Sequence, residues 1–156
     1  MKNTILPLRI LHLNDKGAHL LIAVRINGKK ARVLIDTGAS NTVFDKHRLP
    51  DFLKGARMET EERLSSGLGT SNMQSQSAVL NKLELGSIII KNHYTLVLDL
   101  SHVNSSYENM KLKPIDGVIG GDILKKYKAN IDYGKKKLVL SVRGKNKRKK
   151  AGKKSK

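Results

Sequence analysis

The run Val33-Leu34-Ile35-Asp36-Thr37-Gly38-Ala39-Ser40, followed at once by Asn41-Thr42-Val43-Phe44, leaves this chain few ways to fold. Three branched apolar residues in succession read as a strand packed on both faces, and the run breaks off at an ionisable side chain. The carboxylate of Asp36 therefore stands at the rim of a core. The chain must turn there, because Gly38 supplies backbone freedom while Thr37 and Ser40 supply local hydrogen bonds. Such a turn holds the carboxylate rigidly, and its apolar neighbours limit its access to water. Asp-Thr-Gly alone caps turns in unrelated proteins. It gains specificity from the apolar strand before it, Ala39-Ser40 after it, and the second apolar run that follows.

The remainder of the chain reads mainly as strands. Ile5 to Leu13 alternates loosely and predicts a first strand, with Asn14 to Gly17 as a turn. Leu20 to Ile26 predicts a second strand, and Asn27-Gly28 is the strongest short hairpin signal available; it returns the chain into Ala31–Ile35, so Asp36 ends a hairpin arm. Thr42-Val43-Phe44 reads as a short strand, and Asp45 to Pro50 reads as a helical turn stopped by proline. Ser65 to Asn72 is small and polar, as suits a mobile hairpin tip; its Gly67-Leu68-Gly69 lacks the further residues of a phosphate loop. Ser77–Leu85 and Ile88–Leu98 are two more strands joined at Gly86-Ser87, and Ser101 to Lys113 reads as irregular. Val118-Ile119-Gly120 reads as a short buried apolar strand, after which Gly120 and Gly121 suit close backbone passage and Asp122 is placed to cap a helix from Ile123 to Tyr127. A closing hairpin follows, Ala129 to Gly134 and Lys137 to Val142, with Asp132 as a turn residue.

At 156 residues the chain is one domain with a tail, residues 1–143 and 144–156. The net charge of +18 suggests nucleic acid until it is divided along the chain. Twelve of the 31 Lys and Arg, and no acids, lie from Lys135 onward, so the folded part is only modestly basic. Gly144 to Lys156 is Lys-rich and low in complexity, which predicts a disordered tail. The absence of cysteine excludes disulfides and thiolate chemistry and fits a reducing compartment. No signal peptide and no stretch of membrane-spanning length is evident, so a cytoplasmic protein is expected. His93 and His102 stand apart from any acid pair, giving a metal site little support.

The Asp36–Ser40 segment resembles the active-site loop of aspartic peptidases, in particular the bacterial-type, single-domain retropepsin-like (clan AA) branch. Three features in order carry the resemblance: a turn-held Asp, a glycine-rich hairpin, then Val118-Ile119-Gly120 leading into a helix. It implies an all-β, closed β-barrel-like acid protease fold with one short helix near the C-terminus. It implies Asp36 as the catalytic residue, with Thr37, Gly38, Ala39 and Ser40 as the active-site loop. Gly67, Leu68 and Gly69 become the flap over a bound peptide, and Val118, Ile119 and Gly120 the psi-loop support.

Carboxylate-driven amide hydrolysis needs two carboxylates, one to take a proton from water and one to give a proton to the substrate. The sequence holds one Asp-Thr-Gly and is too short for two lobes. The second Asp36 must then come from a second copy, which implies an aspartic endopeptidase active as a homodimer on an extended peptide or protein, with no cofactor. By the same resemblance, Thr37 locks the two loops across the axis. Ala39 stands where two-lobed relatives often carry a hydroxyl, which implies higher apparent pKa values for the pair and a mildly acidic to near-neutral optimum. The basic tail departs from retroviral relatives, whose terminal strands pair across the dimer; it is a candidate for weak contact with nucleic acid or another acidic surface. The alternative is a non-catalytic retropepsin-like domain that binds peptides or proteins, tethered by its tail. A nucleic-acid-binding protein outright is disfavoured by only six aromatic residues and by where the basic excess lies.

Overall fold

The computed structural model describes residues 2–14, 17–53, 59–61 and 75–144. Its strands are β1 (Lys2–Pro7), β2 (Arg9–His12), β3 (Ala18–Ile26), β4 (Lys29–Ile35), β5 (Val43–Asp45), β6 (Glu59–Glu61), β7 (Ser75–Leu85), β8 (Ile88–Leu98), β9 (Gly117–Ile119), β10 (Asn130–Asp132) and β11 (Lys137–Val142); the helices are α1 (Ser101–Asn109) and α2 (Gly121–Lys126). The Asn27-Gly28 turn joins β3 to β4 with φ of 50° and 82°, the double positive that a twisted two-residue hairpin requires.

Neighbouring strands run in the order β2-β3-β4-β9-β5-β8-β7-β6, and an additional pairing of β3 with β7 closes six of them into a barrel. Closure is brief, Arg25 opposite Glu84 and Ile26 opposite Leu83. Alternation sends Leu20, Ile22, Val24 and Ile26 of β3, and Ala31, Val33 and Ile35 of β4, into the barrel interior. A separate sheet, β1-β11-β10, covers the barrel with Leu6, Leu138 and Leu140. The predicted all-β closed barrel is the observed architecture.

The opposite face of β3 and β4 is also covered. Leu21 and Leu34 join Leu11, Val118, Ile115 and Tyr107 in a second core beneath α1. This helix is a correction, because Ser101 to Lys113 reads as irregular in sequence. Its composition is polar, but Val103, Tyr107 and Met110 recur at helical spacing and pack on the second core.

Three further expectations are corrected. The strand predicted over Ile5–Leu13 is two strands: β1 pairs with β11, and β2, after Pro7, pairs with β3. Pro50 opens a 3₁₀ turn at Leu49–Phe52 rather than stopping one, since its fixed φ and missing N–H suit a first turn. Helix α2 begins at Gly121 and has no side-chain cap, because its N-cap is Gly120, which has no side chain; Asp122 lies inside the first turn with its carboxylate on Thr42. Asp132 is the turn residue expected, its Oδ1 accepting the Lys135 N–H at 2.8 Å. Gly67, Leu68 and Gly69, and the tail beyond Gly144, lie outside the described residues. Among the described residues no helix is long and apolar enough to cross a membrane.

Candidate active site

Asp36 is placed by the pairing of β4 with β9. Val33, Leu34 and Ile35 lie parallel to Gly117, Val118 and Ile119, and the Asp36 N–H extends the ladder to the Ile119 carbonyl at 3.0 Å. The chain then turns. Ala39 N–H donates to the Asp36 carbonyl at 3.2 Å, and Gly38 N–H donates to Asp36 Oδ1 at 2.9 Å, which orients the carboxylate. Among the described residues Oδ2 accepts no hydrogen bond, so it is available to water.

Asp36, Thr37 and Gly38 are exposed in the single chain. The limited water access expected from apolar neighbours is therefore corrected. Ile35 points into the barrel, while Leu34 and Ala39 pack against the second core, and none of them covers the tip of the turn.

The crossing strand holds the loop from below. Gly121 N–H donates to the Ala39 carbonyl at 2.7 Å, and Asp122 N–H to the Ser40 carbonyl at 3.1 Å. A Cβ on Gly120 would lie 2.7 Å from the carbonyl carbon and oxygen of Asn41, so only glycine fits this approach. Gly117 is equally confined, by the ring of Phe44 and the carbonyl of Val43.

Two residues without an expected role at the loop complete the arrangement. Asp122 Oδ1 accepts from both the Thr42 N–H (2.9 Å) and the Thr42 Oγ1 hydroxyl (2.7 Å). Thr42 Oγ1 in turn accepts the Gly120 N–H at 3.1 Å, and the Thr95 hydroxyl donates to the Thr42 carbonyl at 3.1 Å. Thr42 is 1% exposed, so these bonds run through a dry joint where each lost partner is costly. The available sequence signal was a hydroxyl residue just past the loop and an acid just past Gly120. Nearby, burial holds the His93 imidazole below its ordinary pKa; the Asp122 charge opposes this and Lys126 adds to it.

The result is one carboxylate, fixed by backbone and directed to solvent, on a loop clamped by Gly120 and by the Thr42–Asp122 pair. Among the described residues no three His, Asp or Glu side chains cluster in a way that could hold a metal ion.

The chain is similar to known proteins to differing extents. DNA damage-inducible protein 1 from Chaetomium globosum and from Neurospora crassa are each 27% identical over 126 residues, 78% of this chain. The chain spans about a quarter of the length of these curated relatives, 24% and 25%. By structure it is similar to a retropepsin-like aspartic protease from Rickettsia conorii, with a TM-score of 0.52, 20% identity, and coverage of 89% of this chain and 88% of that one. The retroviral protease-like domain of Ddi1 from Leishmania major gives 0.51 and 17%, covering 83% and 97%. The EIAV protease, solved with the inhibitor HBY-793, gives 0.51 and 21%, covering 78% and 99%. These likenesses show the retropepsin-like fold. A family model described as aspartyl protease matches residues 22–123, more than half of the chain, and takes in both the Asp36 turn and the Gly120 crossing. The chain belongs to the aspartyl protease family.

Proposed function

We propose that this protein is an aspartic endopeptidase whose active form is a homodimer, each subunit contributing Asp36. The observation that carries the reading is the exposed, backbone-oriented carboxylate on a chain that holds one Asp-Thr-Gly. Two Asp36 side chains brought together on a two-fold axis cannot both ionise easily, so they share one proton and titrate as a pair. The ionised member takes a proton from a water held between them, and the oxygen of that water attacks the peptide carbonyl. The protonated member gives its proton to the carbonyl oxygen. Collapse of the resulting tetrahedral diol breaks the C–N bond, with a proton passing to the leaving amine.

Thr37, exposed at the tip of the turn, is available to the facing loop, and the segment carrying Gly67, Leu68 and Gly69 takes the part of the flap. The terminal strands differ from an exchange between subunits. β11 pairs with β1 of its own chain along its length and with β10 over Lys137–Val139. Contact across the axis therefore rests more on the active-site loops, and the dimer is concentration-dependent.

The test is cleavage of a diverse peptide library by the wild type and Asp36→Asn at high protein concentration, with sedimentation in parallel. Cleavage confined to the wild type supports the proposal. A folded dimer that cuts nothing favours the alternative, a peptide-binding domain without catalysis.

A further inference from the structure

We propose that a cleft remote from Asp36, between the β1–β2 link, the outer face of β3–β4 and the Lys113-Pro114 segment, is a binding site for a phosphate monoester. The cleft has a volume of about 620 Å³, within the roughly 300–1,000 Å³ typical of small-molecule sites. Arg32 lies four residues before Asp36 on β4, roughly 13 Å along the strand. Leu34, packed in the second core, stands between them. The cleft is therefore separate from the peptidase site.

Its charge is one-sided. Arg9, Lys30, Arg32, Arg48 and Lys113 all line it, and the acid among them is Asp116. Asp116 is committed: Oδ1 accepts from Arg48 Nε at 2.7 Å, and Oδ2 accepts the Arg32 backbone N–H at 2.8 Å. Among the described residues Arg9, Lys30, Arg32 and Lys113 have no carboxylate within ion-pair distance. Four cations from three separate segments thus line one cleft whose single carboxylate, Asp116, is paired with a fifth, Arg48.

Arg32 shows the consequence. Its Nε is buried without a hydrogen-bond partner, an unusual state for a charged group. Burial and then the Arg9 charge depress its pKa, only partly offset by Tyr107 and Asp116. An anion in the cleft would relieve the repulsion between the two arginines.

A phosphoryl group suits this set better than a carboxylate. It offers nearly two charges and three acceptor oxygens to two planar guanidinium forks and two ammonium groups. Pro7, Leu8, Ala23 and Pro114 provide an apolar wall for the organic part of the ligand.

The full chain is titrated with inorganic phosphate and with phenyl phosphate by calorimetry, at ionic strength held constant with chloride. Saturable binding is expected for both, tighter for phenyl phosphate. The double variant Arg9→Gln/Lys113→Gln changes two exposed side chains, so it is expected to fold. It should weaken binding at least about tenfold, the order expected for a lost charge-assisted hydrogen bond. Asp36→Asn should bind as the wild type does, which separates this site from the peptidase reading. No saturable heat overturns the proposal, as does equal binding by the double variant, which would place the anion on the Lys-rich tail. Phenyl phosphate binding no tighter than inorganic phosphate, or lost in Asp36→Asn, overturns it as well.

Discussion

Gly120→Ala measures how tightly the crossing strand sets the position of Asp36. The new Cβ would sit 2.7 Å from the carbonyl carbon and oxygen of Asn41 and 2.8 Å from the carbonyl oxygen of Ala39. All three are backbone atoms, so no side chain can swing aside. Restoring ordinary contact requires the loop and the crossing to part by roughly 0.5–1 Å. The φ of Gly120 is −106°, which alanine adopts readily, so the effect is steric rather than conformational. Overpacking of this kind costs about 1–3 kcal/mol, or a fall in Tm of about 2–12 °C for a chain of this size. In the proposed homodimer the shift falls on the Asp36 loop of both subunits, and a misplacement near 1 Å can lower kcat about 100-fold. Gly121→Ala is the matched control. Its Cβ would lie 3.4 Å from the Ala39 carbonyl oxygen, close to ordinary contact, and alanine favours the helix by about 0.5–1 kcal/mol. Urea and thermal unfolding of the three proteins, at matched concentration because dimerisation adds mass action, give the comparison. A Gly120→Ala protein within about 0.5 kcal/mol of both others would refute the reasoning, since loop and crossing would then separate without resistance.

Thr42→Val keeps the shape but removes the hydroxyl that bonds Asp122 and Gly120; a loss of about 2–4 kcal/mol is expected, largely restored in Thr42→Ser, and equal stability of the two variants would show the joint to be inert. Mixing wild type with Asp36→Asn at fixed total concentration should lower peptidase activity as the square of the wild-type fraction, whereas a linear decline would mean that one Asp36 suffices. His93 is held below its ordinary pKa by burial, so the folded state binds fewer protons than the unfolded one, and its contribution to stability is present above pH 6.5 and lost as pH falls below that value. His93→Gln should therefore flatten the Tm profile on the acid side of pH 6.5, and an unchanged profile would remove His93 from the acid response. Ala39→Ser should move the acidic limb of the pH–rate profile downward by giving the Asp36 pair a hydroxyl donor; an unmoved limb refutes that account of Ala39.

The barrel strands were legible because burial imposes a simple period. Val33, Leu34 and Ile35 pack on both faces, as a continuous apolar run predicts. Asn27-Gly28 marked its own turn through the positive φ that those residues tolerate. The helix over Ser101–Asn109 was less legible because its polar face dominates the composition, and only Tyr107 is fully buried. Pro50 opens its turn where local sequence also allows it to end one, because proline both breaks and begins helices.

At the site the division follows the range of the interactions. A strand ending in Asp36 and a turn through Gly38 are local consequences of residue chemistry, and the sequence alone determined them. The tertiary structure alone decided that Asp122 bonds Thr42, 80 positions away, instead of capping α2. It also brought Gly120 against Asn41, and it placed Arg9, Arg32 and Lys113 around one cleft. Side chains choose partners by distance in space, and the closure of the barrel brings these segments together.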